Sequence, residues 1–408
     1  MSGCGTETGL MSVDQALATI VNRVHALASE SIPLQQALNR YLAADIHSEI
    51  ELPLFSQSAV DGYAICSNQP ILENTKFELI GEIRAGQDQN LQLEHGQALR
   101  IFTGAKIPEG TTTVARQEIV TALSPDQIQI NIALEIHADI RDIGEELSRG
   151  QLLANQGQHL SVGAIAALAM AGVQQVEVYQ FPKVAVVITG DEVAKTLDDF
   201  SAGKVFDANA PLIQAWFEQQ QQNVNIYHVE DTELALQQLI QQLKQQCDVI
   251  LTTGGVSVGD YDFVRPVALA QGFRQIFWKV KQKPGKPMLF AKYQCASGDA
   301  CYLLGLPGNP AAVFVGMQIY GATLLKTLQG QTQLPNWFSA TLKQSIKSDS
   351  RERFLRMFAH FDQGQLRVEN LSKQQSHMLS NLMHANCLVR IPENQVLSAG
   401  STVQGLFL

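Results

Sequence analysis

The sequence predicts a multidomain α/β protein built around a doubly wound sheet, and three observations carry this. The 408 residues exceed a single ordinary domain of about 100–200 residues. Between 183 and 330, apolar runs ending in glycine alternate with helical periods, the pattern of a parallel sheet wrapped by helices. Residues 48–147, and again those after Pro335, break into short alternating runs punctuated by turns, the mark of β-rich modules.

The elements follow in order. Met11-Ser12-Val13-Asp14 opens a helix with Ser12 or Asp14 as N-cap candidate, and residues 12–45 are helical in period, with Ala16, Leu17, Ile20, Val24 and Leu27 on one face. Val60–Ile65 alternates as a strand. Ser161–Val173 is too short and too rich in Ala and Gly to span roughly 30 Å of hydrocarbon, and reads as a buried helix. Lys183–Gly190 is a buried strand, followed by a helix over 209–222, a strand at Asn225–Val229, a helix over 231–247 and a strand at Asp248–Gly255. Then come a helix near 262–271, strands near 276–281, 287–292 and Tyr302–Gly305, and a helix over 310–328. Phe354–Phe358 and Cys387–Ile391 belong to a small all-β C-terminal domain. The glutamine runs at 219–222 and 240–246 interleave with leucine at helical spacing and read as solvated helix faces.

Charge and cysteine usage bound the function. The formal net charge of −10 argues against a surface devoted to nucleic acid or to an anionic membrane. The N-terminus lacks the basic and apolar regions of a secretory signal. Cysteines 4, 66, 247, 295, 301 and 387 show no C-x-x-C and no histidine at zinc spacing, so reduced thiols in a cytoplasmic protein are expected.

In doubly wound sheets ligands bind beyond the carboxyl ends of the strands, here residues 189–192, 252–262 and 305–310. In Thr252–Asp262, Gly254 and Gly255 let backbone N–H groups approach an anion, while Ser257 and a following helix N-terminus add donors. Asp260 and Asp262 beside an anion suggest a shared Mg²⁺; a turn with a helix-capping aspartate accounts for the same residues. Gly255–Gly259 also spells the G-x-S-x-G elbow of α/β hydrolases, with Ser257 as nucleophile and Asp299 with His360, His377 or His384 as triad partners. Against that reading, no HGGG-type oxyanion loop is present, and aspartates on the exit side would oppose a developing oxyanion. Lys279, Lys281, Lys283 and Lys286 invert the local sign of charge. Alternation puts the first three on one face of a strand, and Pro284-Gly285 swings Lys286 round. They suit phosphate or another oxyanion, or merely blunt an edge strand. Gly305–Pro310 is a rigid turn with Pro310 in the first turn of a helix. Asp61, the Arg100–Ala105 run with Thr103, and the Arg141–Glu146 run each read singly as a cap or an ion pair.

Together these segments carry a resemblance to one family. LPLFSQSAVDGYAI, RIFTGAKIPEG, IRDIGEELSRG, VITGDEV, VFDAN, LTTGGVSVGDYDF, FWKVKQKPGKP, GLPGNPAA and QQSHMLSNL run in the order found in the molybdopterin molybdenumtransferases (MoeA), and the chain is similar to the E domain of gephyrin. The resemblance implies a linking domain at 1–47 and 148–180, an inserted β-rich domain at 48–147, an α/β molybdopterin-binding domain at 181–330 and a β-barrel-like C-terminal domain at 331–408. It implies an elongated homodimer whose active cleft lies between the α/β domain of one subunit and the β-rich domain of the other. The implied substrates are molybdate and adenylated molybdopterin, with Mg²⁺ as cofactor. Molybdenum enters the dithiolene, AMP leaves, and molybdenum cofactor results. Implied partners are molybdopterin adenylyltransferase and the cofactor-accepting molybdoenzymes or their chaperones.

Carried over motif by motif, Asp61, Glu192, Asp262, Lys279 and Lys283 are the catalytic candidates. Glu192, Asp231 and Asp262 would serve the metal. Thr103, Arg141, Gly254, Gly255, Ser257, Lys286, Pro307, Pro310 and Ser376 would bind substrate. The lysines, Arg141 and Ser376 would hold anions, and the two prolines would shape the pterin pocket. Three departures touch fine geometry. The family's G-E-D run ends in Glu146, Arg116 replaces an apolar residue, and Gln375 replaces the glycine of Q-G-S. A pterin-binding scaffold without turnover is the second function class on the same fold.

Overall fold

The computed structural model describes residues 10–87, 91–190, 193–194, 204–257, 259, 262–295 and 298–408. They fall into two compact units, the described residues among 1–30, 39–43 and 177–408 in the first and 31–38 with 44–176 in the second. The first helix, α1 (Val13–Arg23), starts at a capping box. The Ser12 hydroxyl accepts from the Gln15 N–H, and the Gln15 side chain accepts from the Ser12 N–H. Its Val13, Ala16, Leu17 and Ile20 are fully buried. The helical period read through residue 45 is overturned. Val24 is already extended, and a strand at Ser29–Pro33 follows, because a proline at 33 removes a donor and disfavours helix at the residue before it.

The second unit is built on a mixed sheet of β1 (Gly62–Ile65), β2 (Lys76–Ile83), β3 (Gln97–Ile101), β4 (Thr113–Arg116), β5 (Val120–Ser124) and β6 (Gln127–Ile130), in spatial order β4-β1-β3-β2-β6-β5. Alternation sends Ala64, Leu99, Ile101 and Val114 into one core cluster and Ile65, Ala98, Ala115 and Ile128 into another. The same unit holds α2 (Val162–Met170), capped by Ser161. This segment is a helix as expected but is not buried. Only Leu168 is covered, while Val162 is 74% and Met170 54% exposed. It is apolar on all sides, and the fold of one chain covers one of them.

The first unit continues with β7 (Val184–Thr189), α3 (Asn209–Gln219), β8 (Asn225–Val229), α4 (Glu233–Leu243), β9 (Val249–Thr253), α5 (Val264–Ala270), β10 (Arg274–Trp278), β11 (Leu289–Gln294), β12 (Ala300–Leu306) and α6 (Pro310–Leu328). The strand order is β8-β7-β9-β12-β11-β10. All pairings are parallel up to β12, and β11 runs against both its neighbours. Alternation decides the layers. Val184, Val186, Ile188, Leu251, Tyr302 and Leu304 meet α1, α3 and α6, whereas Ala185, Val187, Ile250, Cys301 and Leu303 meet α4 and α5. Both faces are therefore covered, as the continuous apolar strands predict. The α6 helix is long and apolar enough to cross a membrane, yet 78% of it is buried inside the fold; a π-type turn at Met317–Gly321 interrupts it.

The C-terminal strands β13 (Phe338–Leu342), β14 (Glu352–Asp362), β15 (Gln365–Asn370), β16 (Cys387–Ile391) and β17 (Thr402–Phe407) close a ring. β14 pairs with β15, β15 with β13, β13 with β17, β17 with β16 and β16 with β14. Closure of this five-stranded barrel leaves no free edge around it. Arg390 of β16 ties the barrel to α1. Its guanidinium holds Asp14 at 2.7 Å and Glu352, and lies over the Trp337 ring. Burial raises the pKa of Glu352, and Arg390 pulls it only partly back. Arg390→Met should therefore lower stability to urea by about 3 kcal/mol, because a buried carboxylate loses its partner. Adding Glu352→Gln should restore much of that loss.

Candidate active site

Four strand ends converge on a cleft of about 710 Å³ at the carboxyl edge of the parallel strands. Thr189 and Gly190 follow β7, Asp231 follows β8, Gly254, Gly255, Gly259 and Asp262 follow β9, and Gly308, Asn309 and Pro310 follow β12. The chain passes from β7 to β8 on one side and then crosses to β9 on the other, so the cleft opens at the switch point of the sheet. The loops approach too closely for side chains. A Cβ on Gly254 would lie 2.6 Å from the Thr189 hydroxyl, and one on Gly255 2.7 Å from Val264; both glycines have positive φ. The Gly254 N–H bonds the Leu306 carbonyl, and the Asn209 side chain bonds the Gly308 carbonyl. Asp262 accepts the Gly259 N–H at 2.7 Å, so it shapes the loop while facing the cleft.

A second cleft, of about 580 Å³, shares Asn309 and His377 with the first. Lys283, Lys286, Arg351 and Arg353 line it together with Pro307 and Ser376, and no carboxylate is among its lining residues. The lysines do not share one strand face as the alternation predicts. Lys279 takes a left-handed conformation (φ 73°) that ends β10, and its ammonium sits over the Trp278 ring. Lys281 pairs with Glu393 and Lys283 with Asp349, at 2.5 and 2.8 Å. Burial would raise the pKa of Asp349, but hydrogen bonds from Lys283 and the Arg351 N–H outweigh it and hold it below the ordinary value. Ser376 reaches the cleft on the 371–381 loop, which Arg356 organises from beneath. Only 2% exposed, Arg356 donates to the carbonyls of Lys373, Gln375 and Met378. The Ala311 N–H in the first turn of α6 bonds the Ser376 carbonyl.

The predicted residues thus divide. Gly254, Gly255, Asp231, Asp262 and Pro310 meet in the first cleft, and Lys283, Lys286, Pro307 and Ser376 in the second. Lys279 lines neither, and Ser257 is exposed and lines neither. A nucleophile elbow sets its serine on a sharp turn that joins strand directly to helix, but here β9 ends at Thr253 and α5 begins only at Val264, so the hydrolase reading fails. Glu192 and Asp260 lie outside the described residues. Asp61, Thr103 and Arg141 belong to the second unit. There the Asp61 carboxylate accepts both the N–H and the hydroxyl of Thr103, each at 2.8 Å, and these bonds hold its pKa below the ordinary value. Arg116, read as a departure, forms a two-pronged pair with Asp139.

Sequence reasoning missed several cleft residues. Asp207 caps α3 by accepting the N–H groups of Asn209 and Ala210, and its other oxygen lies 2.9 Å from the His228 ring. Arg351 and Arg353 also went unread, and Asn309 and His377 were noted only within their motifs, His377 otherwise as a hydrolase triad partner; only the charge of the arginines within the β-rich run could have marked them. Among the described residues no cluster of three or more metal-ligating side chains forms. Asp231 and Asp262 nevertheless face one cleft, and Mg²⁺ is commonly held by one or two carboxylates together with substrate phosphates, so the donor set suits that ion.

The Asp61 contact makes a titration prediction. Thr103→Ala removes one of two donors that favour the ionised form, so the Asp61 pKa should rise part of the way to the ordinary aspartate value. Side-chain carboxyl ¹³C NMR reads this directly; an unchanged pKa would contradict the assignment of cause.

Comparison with known proteins places this architecture. The family model described as "MoeA N-terminal region (domain I and II)" matches residues 11–172, "Probable molybdopterin binding domain" matches 185–327, and "MoeA C-terminal region (domain IV)" matches 339–408. The chain is 32% identical over 401 residues to the molybdopterin molybdenumtransferase of Haemophilus influenzae, covering 97% of this chain and 98% of that one. It is 32% identical over 402 residues to that of Staphylococcus aureus strain MRSA252, covering 96% and 94%. The crystal structure of the molybdopterin biosynthesis MoeA protein from Pyrococcus horikoshii OT3 superposes with a TM-score of 0.82 at 25% identity, covering 98% of this chain and all of that one. With full-length similarity, the three domain matches in order and the shared fold, this chain belongs to the molybdopterin molybdenumtransferase (MoeA) family.

Proposed function

We propose that this protein is a molybdopterin molybdenumtransferase that inserts molybdenum from molybdate into adenylated molybdopterin and releases AMP. The observation that carries the reading is the pair of adjoining clefts of opposite character. One has glycine-rich backbone and three carboxylates, Asp207, Asp231 and Asp262; the other has four cationic side chains. A pterin nucleotide has a diphosphate that suits the first, with the loop N–H groups as donors. Molybdate is a dianion that suits the second. Lys283, Lys286, Arg351 and Arg353 attract it, and Ser376 and His377 can donate to its oxygens. Pro307 and Pro310 supply rigid walls where the two substrates meet. Mg²⁺, held by Asp231 and Asp262 with Glu192, would neutralise the diphosphate. On this reading Lys279 braces the strand end, and Asp61, Thr103 and Arg141 act on the substrate from the second unit's surface.

The same reading makes the protein a cytoplasmic homodimer that receives its substrate from molybdopterin adenylyltransferase and passes its product to molybdoenzymes or their chaperones. The exposed α2 supports self-association, since a helix apolar on all sides is normally covered. Val162→Asp should convert a dimer to a monomer in size-exclusion chromatography with light scattering. The fold should persist, because an acid is favoured in the first turn of a helix.

The activity test is AMP release from adenylated molybdopterin. Release should require both molybdate and Mg²⁺, and no molybdate-dependent release would sink the proposal. Asp262→Asn keeps an acceptor for the Gly259 N–H while removing the charge, and turnover should fall by about 100-fold or more. Wild-type behaviour from that variant would favour the pterin-binding scaffold.

A further inference from the structure

The lysine-bearing segment 279–288 is a loop between β10 and β11, closed by the Lys279 N–H on the Met288 carbonyl and the Val280 N–H on the Lys286 carbonyl. Its tip is stitched to the barrel, with Gln282 opposite Glu352 and Lys283 opposite Arg353 in a parallel pairing. Between Lys281 and Lys283, whose ammonium groups turn outward to acids, Gln282 points inward and is fully buried. Its side-chain oxygen accepts the Tyr320 hydroxyl at 2.5 Å, and its amide donates to the Pro284 carbonyl at 3.0 Å. Its backbone carbonyl accepts from Arg351. Tyr320 is equally buried and lies in the π-type turn of α6, where the helix departs from its regular spacing. Gly285 completes the arrangement with positive φ; a Cβ there would lie 2.9 Å from the Gln282 amide nitrogen.

A buried glutamine is costly unless satisfied, and here every bond it makes bears on the turn that carries Lys283 and Lys286 or on Arg351. Apolar side chains would fill the same space without fixing the carbonyl of Pro284. Resting on the functional reading above, we infer that the Tyr320–Gln282 pair is a positioning device. It holds the Lys283–Lys286 turn and Arg351 in register so that the second cleft binds the oxyanion substrate. Gln282 and Tyr320 touch no substrate. Their effect is on oxyanion affinity rather than on the nucleotide or on turnover.

The test compares Gln282→Met, Tyr320→Phe and the double variant in the AMP-release assay, with KM determined separately for molybdate and for adenylated molybdopterin. Each single variant should raise the molybdate KM on the order of five- to tenfold, the worth of one buried hydrogen bond, while kcat and the nucleotide KM stay within about twofold. The double variant should be no worse than Gln282→Met alone, since both changes break one connection. Calorimetric titration with molybdate should show the same loss without turnover. If a single variant fails to fold for want of a polar partner, the double, which removes both groups, carries the comparison. Unchanged molybdate KM and binding in folded variants would overturn the positioning role. A wild-type protein that releases no AMP would overturn the functional reading, and calorimetry would still report on the pair.

Discussion

The active edge of this protein depends on a steric condition, the close approach of three loops at glycines whose place no larger residue could take. Gly254 lies against Thr189 from β7 and against Gly308 from beyond β12, and its N–H is spent on the Leu306 carbonyl. A methyl group at position 254 would meet the Thr189 hydroxyl at 2.6 Å in a backbone conformation that side chains rarely adopt. Loops drawn together in this way leave glycine backbone on the wall of the cleft where side chains would otherwise stand. The parallel strands behind them supply the rigidity, because both faces of the sheet are packed and cannot yield.

Charge is arranged around that contact by separation rather than by mixing. The carboxylates gather where the glycine loops are, and the cations gather one wall away. Lys281 and Lys283 of the 279–286 segment are engaged by acids, so the basic cleft owes as much to Arg351 and Arg353 as to the lysines that first attract notice. An overall charge of −10 is compatible with this because a small anion samples a pocket, not the whole surface.

What was legible in the sequence follows the range over which each signal acts. Local periodicity identified every strand of the doubly wound sheet, and Ser12, one of two cap candidates, is the cap because its partner is three residues away. Signals that depend on distant partners misled. The α2 segment reads as buried because composition reports what a helix must eventually hide, not whether its own chain hides it. The lysine run reads as one strand face because alternation assumes continuous extended backbone, and a left-handed Lys279 breaks it. Gln282, Arg356 and Asp207 carried no signal, since each takes its meaning from carbonyls or rings brought near by the fold.

Arg356 has a consequence beyond holding its loop. Its guanidinium is solvated by peptide carbonyls, with no carboxylate among its hydrogen-bond partners in the described residues. Carbonyl dipoles stabilise a cation without cancelling its net charge, whereas the Glu393 carboxylate offsets that of Lys281. Burial lowers the pKa of this guanidinium from the ordinary arginine value, yet an arginine stays protonated at neutral pH. Behind the wall formed by Gln375, Ser376 and His377, the protein therefore buries a cation held by carbonyl dipoles, where solvent and counter-ions reach it poorly. An anion in the cleft is drawn in part by a charge it never touches.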